Sequence, residues 1–492
     1  MADPTVTGPR YDARADDWAL IDALLSGRKA LLNEDFLPKH EAEMTANYEA
    51  RQKRSFLWPA FENTIRELTS TTFDRSMTAS DEGLDPDYER FLTDVNGEGE
   101  DVNRFARHFF AGSLANGVEY ILVDAPKLEE GATLADQRAA GVTWTRVPAS
   151  ALLEWQTAKI GGKTRFVYAR IRETYEERDG FEVVTKTQIR EIEAGEWRVW
   201  RQDNGWAVVD QGTYVVGGKP LEWVPLVAFI CGELESNGNA KPPLLTLAEK
   251  NLEHFQKSSD LGNIIRVTCF PMLGLSGPIQ RETDENGNPK DIAIGPMRLL
   301  QTSDASGKWY FVEATGGSVS KAEDQILRLE REMQRLSYAP LVHNTDAITA
   351  TVASINSSRG HSVLEAMSLA MKDALDLALQ YTGMWLGKDM EKAPTLTINT
   401  DFAAMIGKDA ELTAIQGARN ARDISRKTYW FEMRRRGVLS ANFDPDAEEK
   451  ELGSEEQDSF GFDTNADVSR ETSDSQTGNP GGNESESGGT PE

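Results

Sequence analysis

Ser320–Leu336 reads SKAEDQILRLEREMQRL, and this stretch sets the architecture of the chain. Ala322, Ile326, Leu329, Met333 and Leu336 recur at steps of four, three, four and three, which makes one apolar seam on a helix. Asp324, Arg328 and Glu332 form a row of alternating sign at i, i+4, and Arg331 and Arg335 occupy further faces. The pattern predicts a helix with one dry stripe and several wet or inter-subunit faces.

Upstream, Leu244 to Ile265 is a second helix, and Val267 to Ser318 between the two reads as short strands and hairpins. A segment of that size has little core of its own and makes most sense packed against copies of itself. Downstream, residues 337–354 are small, polar and β-branched, with no period. Loops of this length inside a domain are uncommon and often functional. The candidate exposed groups are His343, Asn344, Thr345, Asp346, Thr349 and Thr351. A long helix follows from Ser362 to Trp385, with Leu364, Met367, Met371, Leu375, Ala378, Tyr381 and Trp385 on one side.

Towards the N-terminus, helices are expected over Asp17–Leu32, His40–Phe56, a segment from Pro59, and Asp101–Asn116, with an acidic turn over Asp81–Asp87. Val118–Val123 reads as a buried strand. From Gly141 to Cys231 the period changes to two. Strands are predicted over Val142–Val147, Arg165–Arg172, Phe181–Ile192, Glu196–Arg201, Gly205–Val209 and Leu221–Ile230, with glycine turns between them. The fold class is α+β. Towards the C-terminus, a short strand (Thr395–Ile398) and helices over Asp409–Gly417 and Ser425–Arg436 are expected, with Asp409 and Ser425 as N-caps. From Gly453 the sequence is Ser, Gly, Asn, Asp and Glu with one arginine, a composition that predicts disorder.

The chain has 492 residues, enough for two or more domains, and a formal charge of −27. That charge argues against a nucleic-acid-coating role, since such proteins gain affinity by neutralising phosphates. It suits a solvated assembly, or a surface that DNA slides past without sticking. Cys231 and Cys269 stand far apart and form neither a metal-ligand spacing nor a disulfide framework, so a reducing cytoplasm is the expected folding compartment. No apolar run is long enough to span a membrane.

Catalytic chemistry is not visible in the sequence. Gly161-Gly162-Lys163-Thr164 resembles the end of a phosphate-binding loop, but Thr157 stands where its first glycine belongs. Asp284–Asn288 resembles half a calcium loop, but Pro289 and the missing closing glutamate count against it. The five histidines show no i, i+4 pair, and no catalytic, metal or cofactor site is expected. Arg434, Arg435 and Arg436 head a basic cluster that includes Arg419, Arg422, Arg426 and Lys427. They either complement a helix C-terminus or contact nucleic acid or a partner.

Several short patterns fall in a familiar order: Tyr48, Arg51 and Asn63; Leu114–Asp124 (LANGVEYILVD) followed by Pro126; Leu153-Glu154-Trp155; Pro242-Pro243-Leu244; and Phe270-Pro271-Met272. Ile294-Gly295-Pro296, Tyr310–Glu313, the seam helix, Gly387, Asp423-Ile424-Ser425 and Gly437-Val438-Leu439 complete it. Over roughly residues 40–445 the chain resembles the portal proteins of tailed bacteriophages, and most of all the portal group long known only as a domain of unknown function. The resemblance implies a portal-like fold: an N-terminal wing (1–240), a stem helix (241–266), a β-containing clip (267–319) and a second stem helix (320–336). A tunnel loop (337–354), a long kinked wing helix with a return strand (355–408), a helical crown region (409–452) and an acidic tail (453–492) complete it.

The resemblance further implies a homo-oligomeric ring, typically twelve-fold, at a capsid vertex of the virion, assembled in the host cytoplasm. Ala322, Ile326, Leu329, Met333 and Leu336 would lie at the ring interface and the tunnel-loop residues would line the channel. Double-stranded DNA would pass weakly held. The terminase large subunit, the major capsid protein and a head–tail adaptor would be partners, with no membrane and no enzymatic activity. Another capsid or head–tail structural protein, and a multidomain cytosolic enzyme, remain the alternative readings.

Overall fold

A computed structural model describes residues 3–127, 141–235, 238–269, 272–276, 306–312, 317–337, 350–400, 402, 408–435, 438–439 and 443–460. It divides into two compact units, Met1–Ala403 and Ala404–Glu492.

The first unit opens with helices α1 (Pro9–Asp12), α2 (Ala15–Ser26), α3 (Arg28–Asn33), α4 (Thr45–Arg54) and α5 (Ala60–Thr72). The single helix expected over Asp17–Leu32 is two, because Gly27 turns the chain at a φ of 86°, where glycine carries no Cβ penalty. The helix expected from His40 begins only at Thr45. Ahead of it, Arg51 takes the Pro38 carbonyl at 2.7 Å and both oxygens of Glu43, fixing that segment as a turn. The acidic turn expected over Asp81–Asp87 runs into helix α6 (Pro86–Thr93), whose first N–H groups are capped by the Asp85 carboxylate.

Helix α7 (Val102–Asn116) starts on an Asp101 cap and ends at Gly117 in the left-handed conformation. The chain turns there directly into β2 (Val118–Asp124), following the two-residue β1 (Thr78–Ala79) in sequence. β2 is the centre of a three-stranded antiparallel sheet, between β3 (Thr143–Pro148) and a later strand, Leu226–Ile230. Phe105, Phe109 and Phe110 of α7 pack with Trp144 and Phe229 in the core beside it.

A five-stranded meander follows: β4 (Leu152–Ile160), β5 (Lys163–Asp179), β6 (Glu182–Glu193), β7 (Glu196–Gln202) and β8 (Trp206–Thr213). β5 and β6 outrun the rest. Thr174–Asp179 pair only with Glu182–Thr187, which leaves a two-stranded arm beyond the sheet. The strand expected from Leu221 begins at Leu226 (β11), after the short pieces β9 (Val215–Val216) and β10 (Lys219–Pro220). Pro225 just ahead of it has no N–H for a ladder. β12 (Glu233–Leu234) and β13 (Ala240–Lys241) form a small hairpin.

Helix α8 (Leu245–Cys269) leads to the hairpin β14 (Met272–Ser276) and β15 (Lys308–Val312), and the chain returns in α9 (Gly317–Leu336). Helix α10 (Ala350–Trp385) crosses the three-stranded sheet. Its expected apolar side from Leu364 to Trp385 is buried throughout. Trp385 donates to the Val123 carbonyl at 3.0 Å, and Trp144 to the Thr382 hydroxyl at 2.9 Å. β16 (Leu396–Thr397), shorter than expected, pairs with β1.

The second unit holds α11 (Lys408–Asn420), α12 (Arg426–Arg435) and α13 (Pro445–Phe460). Asp409 lies inside the first turn of α11 and is no N-cap. Ser425 does cap α12, accepting the Thr428 N–H at 3.0 Å. The tail expected from Gly453 continues as helix to Phe460. Asp444 caps this helix through the N–H groups of Asp446 and Ala447, and Pro445 occupies its first position.

Candidate functional site

Helices α8 and α9 pack side by side and hold the hairpin β14–β15 between them in sequence. They run antiparallel: Lys250 meets Glu332 at 3.6 Å and His254 meets Glu330 at 3.4 Å, while Ile265 and Ile326 share a groove further along. The alternating charges of the sequence become short ladders. Arg328 donates to Glu332 at 3.0 Å, and Lys250 and Lys257 both reach Glu253. Those contacts hold the Glu332 and Glu253 carboxyls below the usual range.

The predicted seam divides. Leu329 and Met333 are buried within the chain itself, Ala322 and Ile326 are half-buried, and Leu336 is exposed. Leu327, off the seam, is 49% exposed, and Ile264 on α8 is 40% exposed. The structure thus spends the middle of the stripe on the α8–α9 pair and leaves apolar side chains outside it.

Polar side chains on α8 tie this pair to the N-terminal helices. Asn251, buried, accepts the Phe61 N–H and donates to the Trp58 carbonyl, each at 2.9 Å. Trp58 thereby sits 5.3 Å from the His254 ring, at the edge of a groove of about 560 Å³ that also exposes Phe56. Gln256 donates to the Phe36 carbonyl, and Arg51 reaches Asp260. Tyr48 and Arg51, two residues of the portal-like pattern, come together here, with the guanidinium over the Tyr48 ring. Asn63, a third, instead accepts from Arg66 on its own helix. Sequence reading missed the Asn251 and Gln256 anchors, because polar residues on a long helix look like a solvated face. The one signal was Trp58-Pro59 beside Phe61, an apolar turn that needed a support.

His343, Asn344, Thr345, Asp346 and Thr349 lie outside the described residues. Thr351 lies in the first turn of α10, so the helix begins before the end expected for the loop. In the second unit, Lys427 pairs with Asp446 and Glu449, Arg419 donates to the Ile424 carbonyl, and Arg426 lies over the Trp430 ring. Arg434 is exposed in the last turn of α12, Arg435 ends that helix, and Arg436 is outside the described residues. Arg419, Arg426 and Lys427 thus have partners within the second unit, and Arg434 and Arg435 stand at the end of a helix. Among the described residues, no group of His, Cys, Asp or Glu is placed to hold a metal, and no helix is long and apolar enough to cross a membrane.

A family model described as "Domain of unknown function (DUF4055)" matches residues 243–386, the span from α8 to the end of α10. No curated protein matches the chain. Among solved structures, "Virion of native gene transfer agent (GTA) particle" is similar at 12% identity and a TM-score of 0.38, covering 88% of this chain and 98% of that one. "Neck of empty GTA particle computed with C6 symmetry" is similar at 12% identity and 0.40, with the same coverage. "Neck of native GTA particle computed with C12 symmetry" is similar at 11% identity and 0.38, covering 76% of this chain and 88% of that one.

Proposed function

We propose that this chain is a portal subunit of a tailed phage or phage-like particle, a non-enzymatic protein that closes into a ring around a DNA channel. The observation that carries the reading is the α8–α9 pair. Among the described residues it holds a two-stranded hairpin, which is marginal by itself, and Leu327, Leu336, Ile264 and Tyr310 are exposed on these elements. Further copies of the chain would cover such surfaces. The matched family span coincides with this unit and α10. In this reading α8 and α9 are the stem, the segment between them the clip, 338–349 the tunnel loop, α10 the wing helix and the second unit the crown. Terminase, capsid and adaptor proteins are the proposed docking partners. The charge of −27 suits a conduit, since tight phosphate binding would stall a moving duplex.

The channel role is tested by replacing His343–Asp346 with glycines in particle assembly. Rings and procapsids are expected to form normally while nuclease-protected DNA per particle falls. Packaging at the wild-type level would remove the loop from the channel.

A further inference from the structure

Strand β5 connects two unlike ends of the meander. At its start lies a cavity of about 280 Å³ whose apolar walls are Trp18, Tyr120, Trp155, Phe166, Ile230 and Leu234. A cavity of about 150 Å³ suffices for a benzene ring. The rim is unfinished: Ile230 is 37% and Leu234 60% exposed. It is also basic. The Arg10 guanidinium lies 5.5 Å from the Trp155 ring, and exposed Lys159 pairs with Thr164, a wall residue, so both share the cavity's face of the sheet.

At its other end β5 enters the two-stranded arm. Phe181 at the tip is 100% exposed, and Val183 beside it is 60% exposed. The tip sequence Glu176-Glu177-Arg178-Asp179-Gly180-Phe181-Glu182 holds four acids against one arginine. Nothing in the fold of one chain requires a bare phenylalanine at the end of a charged arm.

The arm cannot fill the cavity of its own chain. Phe166 and Asp179, the last residue of β5 before the tip, are separated along one extended strand, about 43 Å at the usual rise. Knob and hole are therefore different surfaces of one molecule, apolar and oppositely charged. Contacts of that kind are head-to-tail, and they generate a ring when the rotation closes.

We propose that the β5–β6 arm of one copy seats Phe181 in the aromatic cavity of the next copy, with the acidic tip against Arg10 and Lys159. This contact rests on the ring reading and adds to it a specific link between neighbouring subunits, remote from the α8–α9 pair.

The test is a double-mutant cycle on the full-length protein, using Phe181→Ser, Leu234→Asp and the combination, read as the concentration at half-assembly in sedimentation. Both side chains are exposed, so circular dichroism and the melting temperature of the unassembled chain should match wild type. Each single variant is expected to raise the half-assembly concentration about tenfold or more, the effect of losing one buried aromatic contact. The double variant should be little worse than the worse single, because both act on one contact. Assembly of Phe181→Ser at the wild-type concentration, or effects that multiply in the double variant, would overturn the contact while leaving the ring reading intact. A wild-type chain that never assembles would overturn both.

Discussion

Arg51 shows how much one side chain fixes. It is buried, grips Glu43 with two nitrogens at 3.0 and 2.9 Å, and also takes the Pro38 carbonyl. Arg51→Ala would leave the enclosed Glu43 carboxylate without its partner, at a cost of about 3–5 kcal/mol. Denaturant unfolding should show it, and a loss below about 1 kcal/mol, the level of a surface pair, would make the cluster a surface feature. Glu119 of β2 makes a pH prediction. Burial pushes its carboxyl up to about 8 from an ordinary 4.5, against the pull of Arg146 at 3.2 Å. Between those values the unfolded chain has released a proton that the fold retains, so this residue's contribution to stability falls as pH rises. Glu119→Gln should therefore melt over pH 5–8 with a flatter profile than wild type, and parallel profiles would contradict it. Neither role was legible in the sequence. Arg51 stood out only as part of a familiar pattern, and Glu119 looked like one polar residue in an apolar strand.

Among the elements, the α9 helix was readable but for its first residues, since it begins at Gly317 rather than Ser320, and what covers its stripe was not. Periodicity reveals that a stripe is dry, but the side chains that dry it lie elsewhere in the fold or on another copy. Leu329 and Met333 face the chain's own interior, whereas Leu327, outside the counted seam, remains exposed. The two residues should separate in experiment. Leu329→Asp is expected to lower stability by at least about 2–5 kcal/mol, the range for losing a buried leucine, and to abolish assembly with it. Leu327→Asp should leave the melting temperature within about a degree, as surface changes do, yet weaken assembly. Equal melting losses in both would erase the distinction between an inner and an outer face. Helix α8 was placed well, but its purpose was hidden, because Asn251 and Gln256 spend their polar groups on backbone atoms of residues 36–61. The start of α13 was available in Asp444-Pro445, a cap followed by a first-turn proline, but its continuation past Gly453 runs against the local composition.

At the scale of the molecule, the alternation of helices, a meander and a helix–hairpin–helix unit was legible from the change of period alone. The two-stranded arm was not, since a strand that outruns its neighbours has the same period as one that does not. What the single chain leaves bare then becomes informative: Phe181 on the arm, Leu234 at the cavity rim, and Leu327 and Ile264 on the paired helices. These side chains lie on separate elements, as an interface on two sides of a subunit requires. Native mass spectrometry of the purified full-length protein tests this most directly. The account predicts one closed species at a fixed multiple of the 54.5 kDa chain, about a dozen copies, with no ladder of larger sizes. A mass that stays at 54.5 kDa at every concentration would contradict it.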